Sequence, residues 1–250
     1  MTSERDIDLI NDLRAKPAEL SWIEFKHNND DPEMIGKLCS ALSNSARIDG
    51  QECAYVVWGI EDETHRVVGT AFEPDTKKVG GQVFQMWLVG RLQPKPAFQF
   101  RAVNHPDGRV VLLEIPAPTQ APIAFDGIPY VRIGSGTPKL TDHPERYQQI
   151  IERMRPYSWE HGMAARYVSA DYVLSSLDYI SYFSLIGIPA PDNRLGILER
   201  LKADQLIERD VGDKWNITNL GAILFATELE RFGPSIARKG VRLVAYDGVD

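Results

Sequence analysis

Residues 53–60, CAYVVWGI, form an unbroken apolar run, and this run limits what the chain can become. Eight residues is strand length and is short for a core helix. A strand with no polar face has to be covered on both sides, as in an α/β layer structure and unlike a half-solvated antiparallel sheet. The sequence before it supplies a layer. SWIEFKH (residues 21–27) interleaves Trp22, Ile23 and Phe25 with Glu24 and Lys26, which predicts a strand. Asp31-Pro32-Glu33 then opens a helix, with Asp as N-cap, Pro at the first position and an acid in the first turn. Ile35, Leu38 and Leu42 line one face of that helix, which is expected to fade near Asn44-Ser45. Strand, helix and buried strand make a βαβ unit.

The remaining segments extend this to a mixed α+β architecture, a sheet with flanking helices. Ile7, Ile10 and Leu13 have helical spacing over residues 4–14. After the polar turn Glu61-Asp62-Glu63-Thr64, RVVGTAF (66–72) reads as a strand. A helix containing Val83, Met86, Trp87 and Val89 ends near Gly90. FQFRAV and RVVLLEI flank the hairpin turn Pro106-Asp107-Gly108, and YVRIG (130–134) reads as another short strand. Asp142, His143 and Pro144 open a helix that stops before Pro156. Residues 1–156 are expected to form one domain and 157–250 a smaller, mostly helical one. In the latter, SWEHGMAARYVSA reads as a connection, 171–186 and 192–205 as helices, and WNIT as a strand after the turn Gly212-Asp213. That order is compatible with a winged-helix-like subdomain and equally with an arbitrary helical one.

Composition excludes some classes. No apolar run reaches the roughly 18 residues of a membrane span, and MTSERDIDLINDLRAK has no apolar signal region. Two cysteines, Cys39 and Cys53, are too few for a disulfide framework or a cysteine-based zinc site, which points to a reducing cytoplasm. The net charge of −7 does not by itself recommend a polyanion as partner. Binding one needs only a local basic surface, however. Residues 91–139 carry six Lys and Arg against three acids, a mild local excess.

Four segments, in order, resemble the Schlafen AlbA_2 family. Glu19-Leu20-Ser21-Trp22-Ile23-Glu24-Phe25-Lys26 is similar to its pattern of a glutamate followed five residues later by Glu-aromatic-Lys. Ser40-Ala41-Leu42-Ser43-Asn44-Ser45 resembles its Asn-containing helix end. Val57-Trp58-Gly59-Ile60-Glu61-Asp62 with Val67-Val68-Gly69, and Tyr130-Val131-Arg132-Ile133-Gly134-Ser135, resemble two further family segments. The chain departs at Arg47–Glu52, where the family has a Gly-Gly turn and a longer loop is expected here. In the back third, Ser158-Trp159-Glu160 and Thr218–Ala226 resemble segments that follow AlbA_2 in longer bacterial proteins, ahead of a strand like VRLVAYDG and an ATPase-like region of the GHKL type. The chain is therefore expected to be part of a longer protein. It has no nucleotide motif, and the Gly134-Ser135-Gly136 turn is not a P-loop.

The resemblance implies a nucleic-acid-binding domain, DNA or RNA, of a bacterial regulator or defence protein. In animal Schlafen proteins a related core is a metal-dependent endoribonuclease on structured RNA such as tRNA. Its three carboxylates fall on Glu19, Glu24 and Asp62, which would hold Mg²⁺ or Mn²⁺, with Lys26 beside them as a catalytic or phosphate-contacting cation. Lys26, His27, Arg47, Arg132 and Lys139 are the expected nucleic-acid contacts. Because animal cores pair two lobes, one lobe here implies a homodimer. Bland readings remain open beside these. Glu24 and Lys26 also suit a solvated strand face, Asp62 suits a turn, Glu19 suits a surface position, and Asn44 suits a helix end. Nuclease, binding module and protein–protein scaffold are thus three readings of one set of residues.

Overall fold

The structure is a computed structural model that describes residues 4–16, 20–154 and 159–239. The chain divides into two compact units, Met1–Tyr157 and Ser158–Asp250. Among the described residues no helix is long and apolar enough to cross a membrane.

The first unit runs α1 (Glu4–Arg14), β1 (Ile23–Lys26), α2 (Pro32–Ile48), β2 (Cys53–Trp58), β3 (Lys78–Val79), β4 (Gln82–Val83), α3 (Phe84–Arg91), β5 (Leu92–Gln93), β6 (Gln99–His105), β7 (Gly108–Pro116), β8 (Ala124–Phe125), β9 (Ile128–Pro129) and α4 (Pro144–Arg153). Its main sheet has the order β1-β2-β7-β6. β1 and β2 are parallel, with Glu24 opposite Val56 and Lys26 opposite Trp58; the other pairings are antiparallel. All six residues of β2 are buried, as its apolar run requires. α2 packs on β2 and β7. An aromatic cluster of Trp58, Phe72, Phe84 and Phe100 lies at one end of β2, with Trp58 and Phe72 ring centres 4.8 Å apart.

α1 docks on β6 through Leu9, Ile10 and Leu13, each fully buried. Burying one such side chain contributes about 1.5–3 kcal/mol. Polar contacts orient it: Arg101 Nε lies 3.2 Å from Asp6 Oδ1, and His105 Nε2 lies 3.2 Å from Asn11 Oδ1. The Asp107 amide lies 3.2 Å from His105 Nδ1, a contact that suits the neutral ring with its proton on Nε2. Burial lowers its pKa below 6.5, outweighing the opposing pull of Asp107. The sign follows from that depression. The unfolded chain takes up this proton first as pH falls, so stability is full above about 6.5 and declines below it. Tm should therefore drop between about pH 7 and 5.5, and His105→Gln should remove part of that drop. An unchanged pH slope in the variant would disprove the assignment.

The second unit runs β10 (Met163–Val168), α5 (Ala170–Ser176), α6 (Tyr179–Ile186), α7 (Arg194–Ala203), β11 (Ile207–Arg209), β12 (Trp215–Thr218) and α8 (Asn219–Phe225). The three strands form an antiparallel sheet of order β10-β12-β11. Val173, Phe183, Leu201, Trp215 and Ile217 are among its core residues. Helices α5, α6, α7 and α8 share this core with the sheet. Ser169, Asp178, Asn193 and Thr218 each cap a helix by accepting from an amide of its first turn.

Several boundaries differ from those read in the sequence, each for a physical reason. α2 does not fade at Asn44-Ser45 but continues to Ile48, because Ser40, Asn44 and Ser45 hydrogen-bond to another segment and do not compete for their own backbone. The connection to β2 is consequently residues 49–52, with no long loop. Residues 66–72 form no strand. Only an Ile60–Val67 bridge forms, and Gly69 turns away with φ +80. Tyr130–Gly134 is likewise no strand but one arm of a tight turn closed by Tyr130–Lys139 and Ile133–Gly136 bridges. The expected connection 158–170 contains β10, and the helix read over 171–186 breaks where Asp178 caps α6. Ser158 and the VRLVAYDG strand lie outside the described residues.

Candidate nucleic-acid interface

The side-chain alternation of β1 places Glu24 and Lys26 on one face and Phe25 on the other. Glu24 is only 4% exposed, and burial of a carboxylate requires compensation. Two cations supply it. Lys26 Nζ lies 2.5 Å from Glu24 Oε1, and the Arg132 guanidinium is paired with Glu24 Oε2. Arg132 also donates to the Ser135 carbonyl at 2.8 Å. On its outer side Lys26 Nζ is 4.0 Å from Asp62 Oδ2. Glu24, Lys26, Asp62 and Arg132 thus form one chain of alternating charge across three segments.

Each segment is held by its backbone. Lys26 ends β1, and its carbonyl accepts from the amides of Gly59 and Ile60 at 2.7 and 3.2 Å, which folds the end of β2 over it. Gly59 has φ +95, and a Cβ there would lie 2.8 Å from the Arg109 carbonyl, so only glycine makes this turn without displacement. Beyond it, the Thr64 hydroxyl, with help from Arg66, holds the Glu61 carboxyl below its usual range. Asp62 is the acid of that turn that faces Lys26.

The third segment is stitched to α2. Ser45 Oγ accepts from the Arg132 amide, and Ser40 Oγ from the Tyr130 amide, both at 2.9 Å. Asn44 donates to the Tyr130 and Ile123 carbonyls and accepts from the Ile123 amide. The Asn-containing helix end is therefore structural, and its effect is to place Arg132 over Glu24. Sequence reading missed this set, although the sign was present: four small polar residues, at 40, 43, 44 and 45, in a helix otherwise read as apolar on its packed face.

The other expected contacts separate into two groups. His27 and Lys139 are exposed, whereas Arg132 is 6% exposed and committed to Glu24 and Ser135. Arg47 also turns inward, its Nε donating to the Pro118 carbonyl at 2.9 Å and its Nη1 lying 3.4 Å from Glu52. Glu19 lies outside the described residues.

Of the three carboxylates expected to hold Mg²⁺ or Mn²⁺, Glu24 and Asp62 lie among the described residues and Glu19 does not. Such an ion needs about six oxygen ligands. Both oxygens of Glu24 face resident cations, which leaves Asp62 as the carboxylate with room for a ligand, beside a repelling ammonium. Among the described residues no group of three or more His, Cys, Asp or Glu side chains is placed to hold a metal ion.

The Schlafen, AlbA_2 family model matches residues 19–141. These residues are a Schlafen AlbA_2 domain. The AlbA_2 match spans β1, α2, β2 and the 130–139 turn, the segments that build the charged chain. No curated protein matches the sequence. Among solved structures, the chain is similar to the DIP2311 protein from Corynebacterium diphtheriae, with TM-score 0.40 and 15% identity over 91% of this chain. It spans 41% of the length of that protein. It is also similar to the N-terminal domain of a RecG-related protein from Nitrosomonas europaea, with TM-score 0.34 and 23% identity over 54% of this chain and 92% of that one.

Proposed function

We propose that the AlbA_2 domain binds nucleic acid through phosphate contacts at the carboxyl end of its parallel strand pair, with Lys26 as the central contact and the exposed His27 and Lys139 as further contacts. The observation that supports this most is the position of Lys26. It ends β1 beside parallel β2, and the mouth of such a pair is where open α/β sheets take ligands. Its side chain is 20% exposed, so it can meet a phosphate while still held by Glu24. Arg132 and Arg47 then serve structure, because their guanidinium groups are used within the fold. Binding without metal-dependent cleavage is the reading favoured by the pairing of both Glu24 oxygens with cations.

A labelled tRNA, a single-stranded DNA and a duplex DNA, each titrated at low salt with Mn²⁺ or with EDTA, test this. Binding should occur with equal affinity in both buffers, fall steeply with salt, and leave the strands intact. Lys26→Met should weaken binding and reduce the slope of log affinity against log salt by about one. Mn²⁺-dependent cleavage lost in Glu24→Gln and Asp62→Asn would replace this reading with the nuclease. No binding to any probe would leave the scaffold reading.

A further inference from the structure

We infer that Asp62 is an internal competitor for the nucleic-acid phosphate, a carboxylate that occupies the outer side of Lys26 until a polyanion displaces it. This rests on Lys26 being the phosphate contact proposed above. Lys26 has two acidic neighbours that differ in kind. Glu24 is buried, 2.5 Å from the ammonium, and also carries Arg132, so it belongs to the fold. The Asp62 side chain is 61% exposed, stands 4.0 Å away, and sits on a turn entered through Gly59 and left through Gly69, both with positive φ. A pair at that distance with its acid in water is weak, so a phosphate can replace it at little cost. The two neighbours therefore divide the work: Glu24 orients the ammonium, and Asp62 covers the side from which a ligand must approach. The metal-ligand reading of Asp62 predicts the opposite sign, since removing a ligand to a bound cation weakens phosphate binding.

Neutralising any acid favours polyanion binding somewhat, so a matched control is needed. Glu63, the next residue of the same exposed turn, provides it at identical change of net charge. Fluorescein-labelled tRNA and single-stranded DNA are titrated against wild type, Asp62→Asn and Glu63→Gln at several salt concentrations. Asp62→Asn should bind about two- to fivefold tighter than wild type, and tighter than Glu63→Gln. Lys26→Met should erase the difference between the two variants; if that chain does not fold, Lys26→Gln serves. If wild type binds and Asp62→Asn is no tighter than Glu63→Gln, the inference is wrong while the binding function stands. If no form binds either probe at low salt, the binding function fails and this inference with it.

Discussion

Glu24→Ala is expected to destabilise the AlbA_2 domain by about 3–5 kcal/mol, the cost of removing one partner from a buried ion pair. The penalty comes mainly from what is left behind. Lys26 is partly exposed and can turn to water or to Asp62. Arg132 is 6% exposed, its amide is fixed by Ser45, and its side chain is held by the Ser135 carbonyl, so it cannot follow. Glu24→Gln should cost less, because the amide oxygen can still accept from one cation. Truncating both sides, as Glu24→Leu with Arg132→Met, should recover most of the loss, since a buried pair replaced by apolar groups of similar size is often close to neutral. Urea unfolding followed by far-UV circular dichroism gives all three values. A loss below about 1 kcal/mol for Glu24→Ala would mean that Arg132 reaches water and that the pair does not anchor the 130–139 turn.

The sequence showed most clearly those parts whose physics is local. Asp31-Pro32-Glu33 starts a helix because a side-chain cap and a fixed proline φ act within one turn, and Asp31 does accept from the Met34 amide. The 53–60 run marks a central strand because apolar residues without period have to be covered on both faces. What failed were stretches whose partners are distant. Tyr130–Gly134 has strand composition, yet the Tyr130 and Arg132 amides and the Tyr130 carbonyl are met by Ser40, Asn44 and Ser45, some 86–90 residues earlier. A strand propensity says that a segment wants extended pairing, not that another strand provides it. The same distance hid the roles of the charges. Glu24 and Lys26 were legible as neighbours on one strand face, but nothing local says that Arg132 closes on Glu24 from behind. Without Arg132, Glu24 reads as a ligand awaiting a cation; with it, Glu24 is a residue that already has two.

Trp58→Ala should cost about 3–5 kcal/mol, and its consequences reach the interface. Trp58 is fully buried at the last position of β2, paired in register with Lys26. Its ring packs against Phe72, and its Nε1–H donates to the Asn29 carbonyl at 2.7 Å. It thus fills the core below the strand pair and ties down the turn that follows Lys26 and His27. Two substitutions separate these roles. Trp58→Phe keeps most of the ring volume but loses the donor. Asn29 is exposed, so water can replace that donor, and the hydrogen bond should account for only about 0.5–1.5 kcal/mol. Trp58→Ala also opens a cavity between Phe72 and Phe100 that a rigid sheet cannot collapse to fill. Amide exchange should be faster at residues 29–31 in both variants, and faster throughout β2 only in the alanine form. The reverse pattern, β2 loosened by Trp58→Phe and unaffected by Trp58→Ala, would show that the apolar run is held by its sheet partners alone. In that case covering on both faces, the requirement that first pointed to this fold, would not be what makes β2 central.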